Sequence, residues 1–513
     1  MKTRTQLLGA LIIICTLPSI TFSQENLKLL RFEDAMIIVE ENNPALRQAQ
    51  QHIKQKEYEQ KSKRALYLPQ LSISAKAISM SESINLDLTP VGEAIAPLYS
   101  TLGNYGVFSG VPNPDPATNT QMPFLPDDVS TQIIRQKMLE AGEDVENAEW
   151  DQVIQEKNFA TLSADFVWPI FTGGKISGAN KAAGIQLEMS YEELREKQGA
   201  LLSELATRYY GLALGIQVVE VREQMNDAME RHYSDAKKLY KNGMIAKVEL
   251  LHAAVARNEA SRELKQAQRN IEIIQSALSA TLALDSNISV QPVSQLFINK
   301  QLNDIPYWIN NAISNNPQLK QIEGKKQLVT IKNKVDKGGY LPTIAMIGTY
   351  NIADKDLSEY IPNWVVGVGM SWTVFNGMAR NNKIKVGNTM KMQVEFAEKK
   401  AHDDLRAYLT KLYHELQMQI EQREELTTTL ELSLEYSAST EKAFNEGFAT
   451  SATVVDALSK VAQVKALRLK VLYDYDVSLA RFLQTAGIPE QYTNYCSGDN
   501  TITESLNNSL NFK

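Results

Sequence analysis

Residues able to carry chemistry are thinly spread along this 513-residue chain. His52, His232, His252, His402 and His414 stand apart from one another, and none forms H-E-x-x-H or another metal-ligand spacing. Solvated helix faces are the expected home for all five. Thr172-Gly173-Gly174-Lys175 is followed by Ile176 and lacks the earlier glycine, so it is not a phosphate-binding loop. There is no G-x-S-x-G and no C-x-x-C. The expectation is therefore no catalytic residue, no cofactor, no bound metal, and no enzyme.

The ends and the charge say where such a chain works. Lys2 and Arg4 precede an apolar run, Leu7 to Leu17, and Thr21-Phe22-Ser23 supplies small residues at −3 and −1. That pattern is expected to be a secretory signal peptide over residues 1–23. Cys15 is the only candidate for lipidation, and Ile14 sits where a small residue would be needed, so the chain is expected not to be lipid-anchored. Without Lys2 and Arg4 the chain keeps 51 Lys+Arg against 60 Asp+Glu. This acidic balance argues against a nucleic-acid partner. Cys496 alone then remains, so no intrachain disulfide is expected. No later apolar stretch approaches 18 residues, but transmembrane β-strands of about 9–11 residues escape such a search.

The elements that must position any site are long. Ile170 to Gln291 runs 122 residues without proline, broken near its middle by Gly243. Such a glycine reads as a turn at Asn242-Gly243 between an outgoing and a returning helix. At 1.5 Å per residue, Lys181 to Lys241 spans about 90 Å, the length of a rod or tube wall. A second run, Asn363 to Ile488, turns at Gly447. Leu202, Leu205, Tyr209, Leu212, Ile216 and Val219 are spaced 3, 4, 3, 4, 3, a coiled-coil seam, and Leu409, Tyr413, Leu416 and Ile420 repeat part of it. Dense charges elsewhere, such as Glu192-Glu193 and Glu424-Glu425, suit a single-layer wall.

The chain reads as a duplication. Asn42-Asn43-Pro44-Ala45-Leu46 returns as Asn315-Asn316-Pro317-Gln318-Leu319, and Leu68-Pro69 as Leu341-Pro342. Trp168-Pro-Ile-Phe171-Thr-Gly173 matches Trp372-Thr-Val-Phe375-Asn-Gly377, and each tryptophan lies 75 residues before a turn glycine. The offset is 273 early and 204 late, which leaves 69 extra residues in the first copy. The expected organisation follows. Residues 24–300 form a first repeat, with strands at about 69–80 and 159–171 and a hairpin at about 174–285. Residues 301–488 form a second, with strands at about 342–352 and 363–375 and a hairpin at about 378–486. A polar tail, 489–513, carries no structural signal.

All four strands alternate. Leu71, Ile73, Ala75 and Ala77 oppose Ser72, Ser74 and Lys76; Trp364, Val366, Val368, Met370, Trp372 and Val374 oppose Gly367, Gly369, Ser371 and Thr373. One reading is a sheet packed on a core. The other puts the apolar face in lipid and the polar face in a lumen, because no further apolar layer is left to cover it. Four strands cannot close a barrel, and lipid tolerates no open edge, so a membrane barrel must be shared between chains. The excess lies within Ile78 to Asn158; the insert there, about 81–158, is expected to be a long irregular loop at one end of the sheet, extracellular in a barrel, flexible decoration with a charged helical piece from about Val129.

Together these features resemble the outer-membrane efflux protein family, the TolC-like channels, over essentially residues 30–488. Its specific marks are the two N-N-P-x-L…L-P and W-x-[IV]-F-x-G sets. The resemblance implies an α+β membrane protein of the Gram-negative outer membrane. It implies a homotrimer with four transmembrane strands per chain, a shared twelve-stranded barrel and a periplasmic tube of helical hairpins. It also implies a passive exit duct served by a periplasmic adaptor and an inner-membrane transporter.

In that family the hairpin turns meet the adaptor. The corresponding residues here are Asn242, Gly243 and Met244, and Glu446, Gly447 and Phe448, without the family's preceding valine. Aperture acids fall six and nine residues after the glycine: Glu249 holds the first place and Asp456 the second, with Thr453 and His252 at the other two. Two readings of these acids stand, a carboxylate favoured early in a return helix and a gate residue ringing a pore. Trp168, Trp364 and Trp372 are the expected membrane-interface aromatics beside outer-membrane lipid. The rival reading is a trimeric envelope-spanning structural or adhesion protein with no transport role.

Overall fold

The computed structural model describes residues 26–284, 288–496 and 501–504. The expected signal peptide lies outside the described residues, as does the end of the tail. In its first part the chain runs β1 (Asn26–Leu30), α1 (Phe32–Asn42), α2 (Pro44–Ala65), β2 (Gln70–Ser79), β3 (Ile84–Asp87), α3 (Thr89–Tyr105) and α4 (Asp127–Asn147). It continues with β4 (Asp151–Gln155), β5 (Asn158–Phe171), α5 (Lys175–Lys241), α6 (Lys247–Leu282), β6 (Ile288–Pro292) and β7 (Leu296–Asn299). Then follow α7 (Ile305–Asn315), α8 (Pro317–Gly338), β8 (Thr343–Lys355), β9 (Trp364–Ser371), α9 (Ala379–Asn445), α10 (Ser451–Thr485), α11 (Tyr492–Cys496) and β10 (Thr501–Glu504). The fold is mostly helical with some strands, and it divides into two compact units.

The helical unit takes the described residues up to Lys61, Gly178–Lys334 and those from Asn381 onward. Helices α5 and α9 are each 67 residues long, and α6 and α10 are 36 and 35. Ion pairs such as Lys197–Glu193 at 3.1 Å line their surfaces, each contributing only about 0.3–0.5 kcal/mol. Burial contributes more. Leu202, Leu205, Tyr209 and Leu212 of the seam are buried, as are Leu409, Leu412 and Leu416, at about 2 kcal/mol for each fully buried leucine.

Short elements without a readable period fasten this core. β1 pairs in parallel with β6, and β7 pairs antiparallel with β10. The Tyr209 hydroxyl donates to the Leu30 carbonyl at 2.6 Å and accepts the N–H groups of Val293 and Ser294 at 3.2 and 3.0 Å. Phe32, Tyr210, Phe297 and Tyr492 pack around it with ring centroids 5.0–6.4 Å apart. The start of the tail, which carries no signal in the sequence, is structured: α11 places Tyr492 fully in the core. Asp476 is buried in the same core. Burial pushes its carboxyl well above the usual carboxylate range, offset only in part by the backbone of Phe297.

The N-N-P motifs acquire a physical role here. The Asn43 side-chain oxygen accepts the Ala45 N–H at 2.9 Å at the start of α2, while its amide donates to the Thr281 carbonyl at the end of α6. Asn316 does the same on α8, accepting from Gln318 at 2.9 Å and donating to Thr485 at the end of α10. Each asparagine caps one helix start and satisfies one helix end.

The strand unit takes Ser62–Ser177 and Val335–Arg380. Four strands form one antiparallel sheet in the order β2-β5-β8-β9. Leu71 lies opposite Phe166, Phe166 opposite Gly348 and Gly348 opposite Val366, and the adjacent row joins Trp168, Met346 and Val368. The register therefore gathers the apolar positions of all four strands on one face. That face is uncovered in the single chain: Leu71 is 75% exposed and Val368 66%. Strands β2 and β9 each have one unpaired edge among the described residues.

Two expectations change. β9 stops at Ser371 rather than near 375, because Ser371 already faces Thr343, the first residue of β8 after Pro342. A proline offers no N–H to extend the ladder. The insert, 81–158, is irregular at length only over 106–126, and its expected helical piece from about Val129 is α4. β3 pairs with β4 and carries α3 and α4, and Arg135 Nε donates to the Gly106 carbonyl at 2.7 Å. Pro90 sits in the first turn of α3, where no N–H is needed.

Candidate functional site

Two places within these units stand out, one built on backbone turns and one on side-chain hydrogen bonds. At the tip between α5 and α6, Met244 N–H reaches the Leu239 carbonyl at 2.9 Å and Gly243 N–H reaches Tyr240 at 3.0 Å. At the tip between α9 and α10, Phe448 reaches Ala443 at 2.8 Å and Gly447 reaches Phe444 at 3.0 Å. Both are Schellman closures, which need a left-handed residue at the glycine. Gly243 and Gly447 have φ of +72° and +82°. The turn holds its next side chain outward: Met244 is 58% exposed and Phe448 85%. Asn242 and Glu446 beside them are exposed as well.

Behind the tips the four long helices share a small core of Met229, Ala253, Phe444, Val454 and Leu458. Ser451, the first residue of α10, is fully buried against it. Its N–H donates to Glu249 Oε2 at 2.8 Å, and its Oγ lies 2.8 Å from His232 Nε2 and 3.4 Å from His252 Nδ1. His232 thus leaves the solvated face expected of it. It is buried against Phe444, and burial lowers its pKa. Glu249 is half-buried and occupied at the start of α10, while Asp456 on the next turn of α10 is exposed. The structure separates the environments of the two acids, and it joins Glu249 to His252 through Ser451.

The second place is the polar face of the sheet. Ser74 Oγ donates to Asp165 Oδ2 at 2.5 Å and Thr349 Oγ1 donates to Asp165 Oδ1 at 3.0 Å, while Ser74 and Ser163 hydroxyls lie 3.0 Å apart. Asp165 thereby ties β2, β5 and β8 on the side opposite Leu71 and Phe166. On the far strand Gly367 and Gly369 leave this face low and open, with no atom near where a side chain would begin. The tryptophans stand at the sheet's margins. Trp168 Nε1 donates to the Tyr67 carbonyl and Trp372 Nε1 to the Tyr340 carbonyl, both at 3.0 Å, and Trp364 pairs with Tyr350 at the other end of the strands.

Among the described residues no group of three or more His, Cys, Asp or Glu is placed to hold a metal ion. No described helix is long and apolar enough to cross a membrane. The arrangement offers a polar surface, two exposed apolar tips and an uncovered apolar sheet face. Sequence reasoning missed the Ser451 node and the Asp165 network, because their partners lie far apart in the chain and no spacing links them.

A sequence-family model described as outer membrane efflux protein matches residues 138–284 and 308–487. No curated protein matches the sequence. Among solved structures, a membrane protein from Pseudomonas aeruginosa superposes with a TM-score of 0.67 at 13% identity, covering 89% of this chain and 90% of that one. The outer membrane protein VceC from Vibrio cholerae gives 0.66 at 12%, covering 89% and 96%. The CmeC outer membrane channel of Campylobacter jejuni gives 0.65 at 12%, covering 89% and 86%.

Proposed function

Because this chain belongs to the outer membrane efflux protein family and works in the Gram-negative outer membrane, extending into the periplasm, we propose that it is the exit duct of a tripartite efflux or type I secretion system. Substrate passes through it without chemistry, delivered by an inner-membrane transporter and a periplasmic adaptor. The observation that carries this reading is the four-stranded sheet with one apolar face uncovered and, among the described residues, both outer edges unpaired. An open edge is not tolerated in lipid. Three chains pairing β2 of one copy with β9 of the next would close twelve strands, with the Asp165 face lining the lumen and Trp168, Trp364 and Trp372 at the interfaces.

The reading extends to an internal duplication. It is supported by the equal lengths of α5 and α9, by the paired asparagine caps and by the paired tryptophan bonds. It also assigns roles at the tips. Asn242, Gly243, Met244, Glu446, Gly447 and Phe448 meet the adaptor, and Glu249 and Asp456 act at the aperture, Asp456 as the free-standing carboxylate. The mass of the purified protein in detergent tests the assembly. Three copies per particle are expected, and a monomer that keeps its strands would remove the basis for a shared barrel.

A further inference from the structure

Within the strand unit, charge is sorted between the two ends of the sheet. The antiparallel register places Gln70 opposite Val167 and Thr343 opposite Ser371, so four chain passages meet at one end: 62–68, 172–177, 335–341 and 372–380. They carry Lys63, Arg64, Lys175, Lys337 and Arg380 against a single acid, Asp336. The opposite end holds the insert, which between Ser81 and Asn158 has 13 acidic and three basic residues. The insert alone is therefore net −10 in a chain of net −7.

At the basic end the side chains come in bands. The uncovered apolar sheet face gives way to Tyr67, Trp168, Tyr340 and Trp372, all exposed and two of them oriented by their indole bonds to the Tyr67 and Tyr340 carbonyls. Beyond them stand Lys63, Arg64, Lys175 and Lys337, each exposed. Arg380 is different. It is buried, donates to the Thr373 carbonyl at 2.7 Å and stacks 4.7 Å from the Tyr340 ring, so it braces the band rather than facing outward. Apolar, then aromatic, then cationic is the order of surfaces that a leaflet with anionic headgroups would meet.

We propose that Lys63, Arg64, Lys175 and Lys337 form a collar that binds the phosphate headgroups of anionic glycerophospholipids in the adjoining leaflet. This rests on the membrane-spanning reading of the sheet. Charge complementarity and continuity with the apolar face argue for lipid as the occupant. The collar holds the edge of the barrel at one depth while the acidic insert stays on the other side, so the barrel's orientation is written in its charge.

Full-length protein reconstituted in phosphatidylethanolamine vesicles with trace spin-labelled lipid tests the collar. Spin-labelled phosphatidylglycerol should associate about fivefold more strongly than spin-labelled phosphatidylethanolamine, the factor that one basic residue near a charged surface supplies. The preference should collapse towards unity in 1 M salt and in the quadruple variant K63Q/R64Q/K175Q/K337Q. The variant's particle mass and conductance serve as the separate check on the duct reading, and both should stay normal. Equal association of the two lipids with the native protein overturns the collar, as does a preference that survives high salt or the four substitutions. A variant that keeps its lipid preference but loses anion conductance also overturns it, placing these side chains in the lumen.

Discussion

Asp476 and Asp456 stand on the same helix in opposite surroundings. Asp456 is exposed and free to meet ions, whereas Asp476 is sealed among aromatic rings with its pKa well above the ordinary value. The sign of its effect follows. A carboxyl with a raised folded-state pKa stabilises fully below its unfolded pKa of about 3.9, and that contribution is lost as pH rises towards the folded value. Asp476→Asn should therefore raise the thermal midpoint at pH 8 and leave it nearly unchanged at pH 4. A midpoint that drops at both values would mean that the carboxyl itself is needed. Asp456 was marked by the family resemblance, which puts aperture acids six and nine residues after the tip glycine. Asp476 was not, since nothing in its local sequence tells that Phe297 and Tyr492 close over it.

At the scale of elements, the long helices were readable because proline-free length and a 3-4 seam are local properties. The elements that fasten them were not. β1, β6, β7 and β10 hold only four or five residues each, too few to show alternation. The asparagine caps lie between these extremes, visible as a repeated motif whose purpose appears only with Thr281 and Thr485 in place. Asn43→Ala and Asn316→Ala should each destabilise the helical unit by about 1–2 kcal/mol, one cap plus one helix-end bond. Urea titration followed by circular dichroism measures both. Similar losses fit duplicate roles; a loss confined to one position would mean that the motifs have diverged. The insert was legible in part: its charged helix near Val129 showed in the sequence, whereas α3 did not, since prolines look like breakers and Pro90 sits in a first turn.

For the whole molecule, the two-faced sheet and the paired hairpins point to a passage, and the insert is an addition to it. Deleting residues 89–147 and joining Leu88 to Ala148 through a short glycine linker should leave particle mass and conductance steps intact. Loss of assembly would instead make α3 and α4 part of the contact between copies. What was readable at this scale came from alternation on four strands, which set the faces. That a barrel must be shared between chains follows by subtraction, since four strands leave two edges; the number three is implied by the family resemblance alone.

The central claim, that this protein is a water-filled passage with an acidic aperture, is tested most directly by single-channel conductance in planar bilayers. The purified protein should give discrete steps with cations favoured over anions, and Asp456→Ala should weaken that preference while the steps persist. A correctly inserted protein that carries no current, or one whose ion preference is indifferent to both Asp456→Ala and Glu249→Ala, would contradict the account.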